Sequence, residues 1–153
     1  GVTITGRVMD AEAMTFAAEM FDVVYINSVL LHVDCMRVME ECSRVLRPGG
    51  RVVVVEPLKY GLFVQFYRLF SSYKKMKPMY MTLNLFQGGR KFFSCFNHKE
   101  FYFFSCLLLP VFFTKVHFFH RLFYVAARFD EMLFKVLPFL RRLAWVSVGM
   151  YEK

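Results

Sequence analysis

The spacing of hydrophobic and polar positions changes along this chain, and each change predicts an element. Over residues 2–9 apolar and polar side chains alternate closely enough for a strand, which ends at Asp10. Residues 21–26, Phe-Asp-Val-Val-Tyr-Ile, are a short apolar run bounded by Asn27-Ser28, the pattern of a parallel-sheet strand buried on both faces. From 34 to 46 the period becomes helical. Val38, Met39, Cys42, Val45 and Leu46 share one face, while Arg37, Glu40, Glu41 and Arg44 fall on the other. Asp34 suits the N-cap of that helix. Arg47-Pro48-Gly49-Gly50 stops it and turns the chain, with glycine supplying positive φ. Residues 51–55 are β-branched and apolar, and Glu56-Pro57 closes them. Strands separated by one helix and a tight turn imply a right-handed parallel crossover. The expected architecture is an open α/β sheet, whose ligands bind beyond the carboxyl ends of the strands.

Past Pro57 the pattern is coarser. Residues 62–73 and 82–93 read as amphipathic helices, the second weakened by Gly88-Gly89. Residues 95–102 read as a strand, although Asn97 and Glu100 also have the spacing of a capping box that would open a helix. Residues 117–137 carry a helical period closed by Pro138 and Arg141-Arg142, and 144–151 look like a final strand. The stretch 101–113 is intensely apolar but holds Pro110, and it falls short of the roughly 20 residues that span a bilayer as a helix. A buried strand plus cap is its reading, with peripheral membrane contact as the minor alternative. No repeat or low-complexity linker divides the 153 residues, which suffice for one domain with a sizeable core.

Composition narrows the function classes. Hydrophobic residues make up 57% and aromatics 19%, which excludes disorder. The 20 phenylalanines concentrate from Phe63 onward, where they read either as ordinary core or as a cap over an apolar acceptor pocket. The net charge of +8 admits nucleic acid, an anionic membrane surface or an acidic substrate. The basic residues are scattered or paired (Lys74-Lys75, Arg90-Lys91, Arg141-Arg142) rather than gathered in a tract, so nucleic acid is disfavoured. Cys35, Cys42, Cys95 and Cys106 form no Cys-x-x-Cys pair, as expected of free thiols in the cytoplasm. His117 and His120 share a helical face without an acidic or thiol partner, so no metal site is expected.

Four segments in order bring a family to mind. Asp10-Ala11-Glu12-Ala13-Met14-Thr15-Phe16 resembles the acidic segment after the third strand of class I S-adenosylmethionine-dependent methyltransferases, type 11-like. Phe21-Asp22-Val23-Val24 resembles their fourth strand, and Ser28-Val29-Leu30-Leu31-His32-Val33 the segment after it. Arg44-Val45-Leu46-Arg47-Pro48-Gly49-Gly50-Arg51 with Glu56-Pro57 resembles the following helix, turn and fifth strand. Residues 81–110 and 129–153 are similar to the C-terminal part of small-molecule members. The resemblance implies a partial Rossmann-like α/β sheet, mostly parallel, with an antiparallel last strand. The family's first strands and glycine-rich loop have no counterpart here, since the Gly-Gly pairs sit at 49–50 and 88–89. The expectation is an N-terminally truncated single domain, a fragment of the full enzyme. Within it 1–57 form the cofactor-side core, 58–143 a helical and aromatic acceptor-side cap with an insertion, and 144–153 the last strand.

By resemblance the cofactor is S-adenosyl-L-methionine and the acceptor a small or lipid-like molecule. Asp10 and the Ala11 N–H would meet the adenine edge, and Asn27, Ser28 and Val29 the cofactor's amino-acid moiety. His32 is the candidate base or orienting group, having an unperturbed pKa near neutrality. Glu56 would line the acceptor pocket, and Glu12 reads as a solvated charge. Methyl transfer from a sulfonium donor depends largely on alignment, so a dedicated catalytic side chain is not required. Two other classes stay open: a non-catalytic remnant or partner-binding module of the same fold, and an RNA methyltransferase.

Overall fold

The structure, a computed structural model, describes residues 3–70, 81–108 and 119–153, with backbone only for 67–70 and 119. Strands β1 (Phe21–Asn27), β2 (Leu46–Pro57), β3 (Cys95–Phe101) and β4 (Val146–Glu152) form one sheet in the order β1-β2-β4-β3. β1 and β2 are parallel, and β4 is antiparallel to both β2 and β3. Three strands therefore share a direction and only the last is reversed, as the resemblance implied.

Helix α1 (Cys35–Val45) links β1 to β2. Its N-cap is Asp34, whose Oδ1 accepts the Met36 and Arg37 N–H groups at 2.9 and 3.2 Å. Cys35, Val38, Met39, Cys42 and Val45 bury its inner face. Burying a Val or Met side chain stabilises by about 1.5–3 kcal/mol, so this face secures the helix far more than propensity does. The register jumps from Phe21↔Leu46 to Val23↔Arg51, so Arg47-Pro48-Gly49-Gly50 bulges from the ladder rather than forming a separate turn. Gly49 there adopts φ +78.

Two sequence expectations change. Residues 3–10 form no strand, and Ile4 and Val8 lie in solvent. Alternation supplies a face, but a strand also needs a neighbour to pair with, and none of the described strands pairs here. β1 is buried on one face only. Val24 and Ile26 meet the core, whereas Val23 and Tyr25 remain 59% and 62% exposed because the described elements leave that face open.

After β2 come α2 (Leu62–Phe70), α3 (Leu83–Gly89) and α4 (Phe119–Val136). Residues 95–101 are strand and not helix, because each finds a partner from Glu152 back to Val146 on β4. Phe86 of α3 lies over Gly149, where a Cβ would stand 2.7 Å from its ring, and the Tyr151 hydroxyl donates to Phe86 O at 2.7 Å. The ends of the expected helices at 71–73 and 117–118, and the apolar stretch beyond 108, lie outside the described residues. Among the described residues no helix is long and apolar enough to cross a membrane.

Candidate functional site

The carboxyl ends of β1 and β2 lie side by side, with Asn27 opposite Val55. The N-terminus of α1 opens at the same end. Glu12 ties residues 10–16 to it, accepting the Asp34 N–H at 2.8 Å with the Arg37 guanidinium 3.8 Å away. Glu12 is thus a structural anchor and not a solvated charge. Further along α1, the Arg44 fork grips the Glu41 carboxylate through two 2.8 Å bonds. It also donates to Met14 O and Phe16 O, while Glu41 accepts the Met14 N–H. The Arg44 hydrogen bond holds the Glu41 carboxyl below the usual range. Residues 10–20 therefore lie along the helix and enter β1 with Asp10 and Ala11 set at its rim.

At that rim Asp10 closes a tight turn, its Oδ1 accepting the Glu12 N–H at 2.9 Å. The carboxylate is otherwise exposed. Ala11 is half-buried, and its N–H donates to no group among the described residues. Ser28 stands at φ +55, a conformation that a non-glycine residue adopts only when its surroundings impose it. Here the surroundings are explicit. Ser28 donates its N–H to Val55 O at 2.9 Å and its hydroxyl to Asn27 Oδ1 at 3.3 Å. The Val29 and Leu30 N–H groups both donate to Glu56 Oε1, at 2.7 and 2.8 Å. Glu56 is wholly buried and its Oε2 has no partner. Burial pushes its carboxyl above the ordinary range, and the two N–H bonds offset part of that rise. His32 ends the short 3-10 turn Leu30–His32 and is exposed.

This arrangement limits what the site can grip. The N–H groups of Ser28, Val29 and Leu30 are all engaged, so the loop offers a ligand carbonyl oxygens and the Asn27 and Ser28 side chains. That suits a cationic amino group better than a carboxylate. The open Asp10 oxygen beside the Ala11 N–H presents an acceptor and a donor side by side, the pair that an adenine edge requires. The residues present thus fit the adenine and ammonium portions of S-adenosylmethionine. For its carboxylate, residues 27–30 leave the Asn27 side-chain amide as the donor.

Beyond β2 a cleft of about 510 Å³ is walled by Leu58, Tyr60, Met81 and Phe139, with Lys59 and Arg142 at its edge. Sequence reasoning also passed over buried polar residues on the sheet's core face. Glu100 is buried on β3 beside Ser147 of β4, whose hydroxyl donates to it at 3.3 Å, and Ser147 in turn stands opposite Glu56 of β2. His98 Nδ1 hydrogen-bonds the same Glu100 oxygen. Alternation within 95–101 places Phe96, His98 and Glu100 on one face, but only the partner strands show that this face is the inner one. Among the described residues no cluster of His, Cys, Asp or Glu is placed to hold a metal, while His117 lies outside them.

Residues 2–54 match the family model of the methyltransferase domain. No curated protein matches the sequence. Among solved structures, phosphoethanolamine N-methyltransferase 2 of Haemonchus contortus, in complex with S-adenosyl-L-methionine, is similar at TM-score 0.57 and 13% identity, over 94% of this chain and 36% of its own. A possible histamine N-methyltransferase of Thermotoga maritima matches at TM-score 0.57 and 15% identity, over 94% and 61%. An S-adenosylmethionine-dependent methyltransferase of Archaeoglobus fulgidus matches at 0.55 and 12%, over 95% and 66%. This chain thus spans 36% to 66% of the length of these structures. Strand order, the reversed last strand and the matched N-terminal segment agree, and the fold of this chain is that of the class I S-adenosylmethionine-dependent methyltransferases.

Proposed function

We propose that this chain supplies the adenine edge and the acceptor side of a site that transfers a methyl group from S-adenosylmethionine to a small or lipid-like acceptor. The observation that carries this reading is the rim itself. Asp10 is exposed and the Ala11 N–H unengaged among the described residues, at the sheet end where Glu56 holds residues 27–30 from beneath, with Ser28 at positive φ. The cofactor supplies a methyl group already activated on sulfur, so the chain's task is orientation and the exclusion of water. Asn27 and Ser28 would orient the donor, and His32, exposed at the end of the same loop, would face an acceptor. The cleft beyond Leu58 has the volume of a small-molecule site, and its mixed lining, with Thr82, Asn84 and Gln87 beside the apolar residues and Lys59 and Arg142 as cations, suits an acceptor with both polar and apolar parts.

A second reading, a non-catalytic module of the same fold, is favoured by the engaged N–H groups of residues 28–30, which leave the cofactor's carboxylate no backbone donor there. Calorimetry separates the two. Binding of S-adenosylmethionine and S-adenosylhomocysteine is expected for the chain or for a version extended upstream, weakened about tenfold by Asp10→Ala through loss of one hydrogen bond to the adenine amine. Failure of both versions to bind either compound would overturn the enzyme reading.

A further inference from the structure

Helix α4 turns one side to the fold and the other to solvent. On the inner side Asp130 and Phe134 are buried, and Asp130 accepts the N–H groups of Phe103, Phe104 and Ser105. On the outer side Leu122, Val125, Phe129, Met132 and Val136 recur at alternating steps of three and four residues, which lines them along one stripe. All five are exposed, Val125 and Val136 by 64% and 69%. Phe104, itself exposed, widens the stripe through its ring contact with Phe129 at 6.0 Å between centroids.

The charges beside the stripe are mostly basic, with Glu131, before Met132, the acidic one. Arg121, Arg128 and Lys135 each stand one residue before a stripe position, seven residues apart, and all are exposed. The acidic residues of α4 do not cancel them. Asp130 is turned inward, and Glu131 is shared between Lys99 at 2.6 Å and Arg128 at 3.2 Å. Packing this face on a second copy of itself would bring rows of three basic residues together with only Glu131, already shared with Lys99 and Arg128, to offset them, which opposes association. An anionic bilayer satisfies both features at once, taking the apolar stripe into the acyl boundary and the basic row onto headgroup phosphates.

We propose that the outer face of α4 docks on an anionic lipid bilayer, with the helix lying in the interface. It rests on the helix alone and stands apart from the methyltransferase reading.

Cosedimentation with vesicles of phosphatidylcholine, with and without phosphatidylserine, tests it on the whole chain. Binding is expected to the phosphatidylserine vesicles and to fall as salt rises. Replacing Arg121, Arg128 and Lys135 together by Gln should weaken it about a hundredfold, at roughly 1 kcal/mol per charge. Val125→Trp should show an emission blue shift on adding the same vesicles, a readout that needs no loss of function. Absence of binding to phosphatidylserine vesicles would overturn the proposal. So would unchanged binding by the triple variant, or a dimer that Val125→Ser dissociates in a chain that ignores vesicles.

Discussion

Glu56 illustrates how one residue's environment decides its role. In the sequence it is the acid after a β-branched strand, and the resemblance points it at the acceptor. In the fold it is fully buried beneath Val29 and Leu30, so it acts on the loop after β1. Its raised pKa has a testable sign. A group whose folded pKa lies above its unfolded value contributes stability below the unfolded value, and loses it as pH rises through the folded one. The contribution should fall from the ordinary carboxyl range upward, whereas Glu41, held low by Arg44, contributes above that range and fails on acidification. Glu56→Gln keeps the oxygen that accepts both N–H groups but cannot ionise. Urea unfolding between about pH 4 and 8 should show wild type losing stability relative to this variant as pH rises. A constant difference would mean that Glu56 does not titrate in that window. Asp130 makes the companion case through hydrogen bonding. Asp130→Ala should cost about 3 kcal/mol, since the buried Phe103 and Ser105 N–H groups, the Ser105 hydroxyl and the half-buried Phe104 N–H lose their acceptor, and Asp130→Asn should cost less.

At the scale of elements, the helical period of α1 and the cap at Asp34 are legible in sequence because both are local. The strand expected over residues 2–9 is not formed, because alternation is also local whereas pairing is not. The choice between helix and strand at 95–101 was decided by β4, which pairs every residue of that segment. The seat of α3 on the sheet depends on a position with no side chain. Gly149→Ala would drive a Cβ to 2.7 Å from the Phe86 ring, and Phe86 is itself fully buried. Overpacking of this kind should cost about 1–3 kcal/mol and lower Tm, with Phe86→Leu in the same chain restoring most of it. If Gly149→Ala melts like wild type, α3 is free to shift and the packing described is not tight.

For the whole molecule, four motifs in order carried the family resemblance through the first sixty residues, and both the matched segment and the strand order agree with it. The aromatic second half was harder to read, because phenylalanine fits core, pocket wall and exposed face equally well. Phe86 is buried in the core, Phe139 lines the cleft and Phe129 is exposed on α4. The sequence by itself determined the period of the elements, the cap of α1, the turn chemistry of Gly49 and the expectation of a reversed last strand. These depend on neighbours a few residues apart or on motifs read whole. Only the tertiary structure decided that Arg44 binds the carbonyls of residues 14 and 16, that Glu56 supports the loop after β1, and that the described elements leave the stripe on α4 exposed. Each of those facts depends on what lies opposite a side chain in space, and the period of a sequence specifies a face without specifying what that face meets.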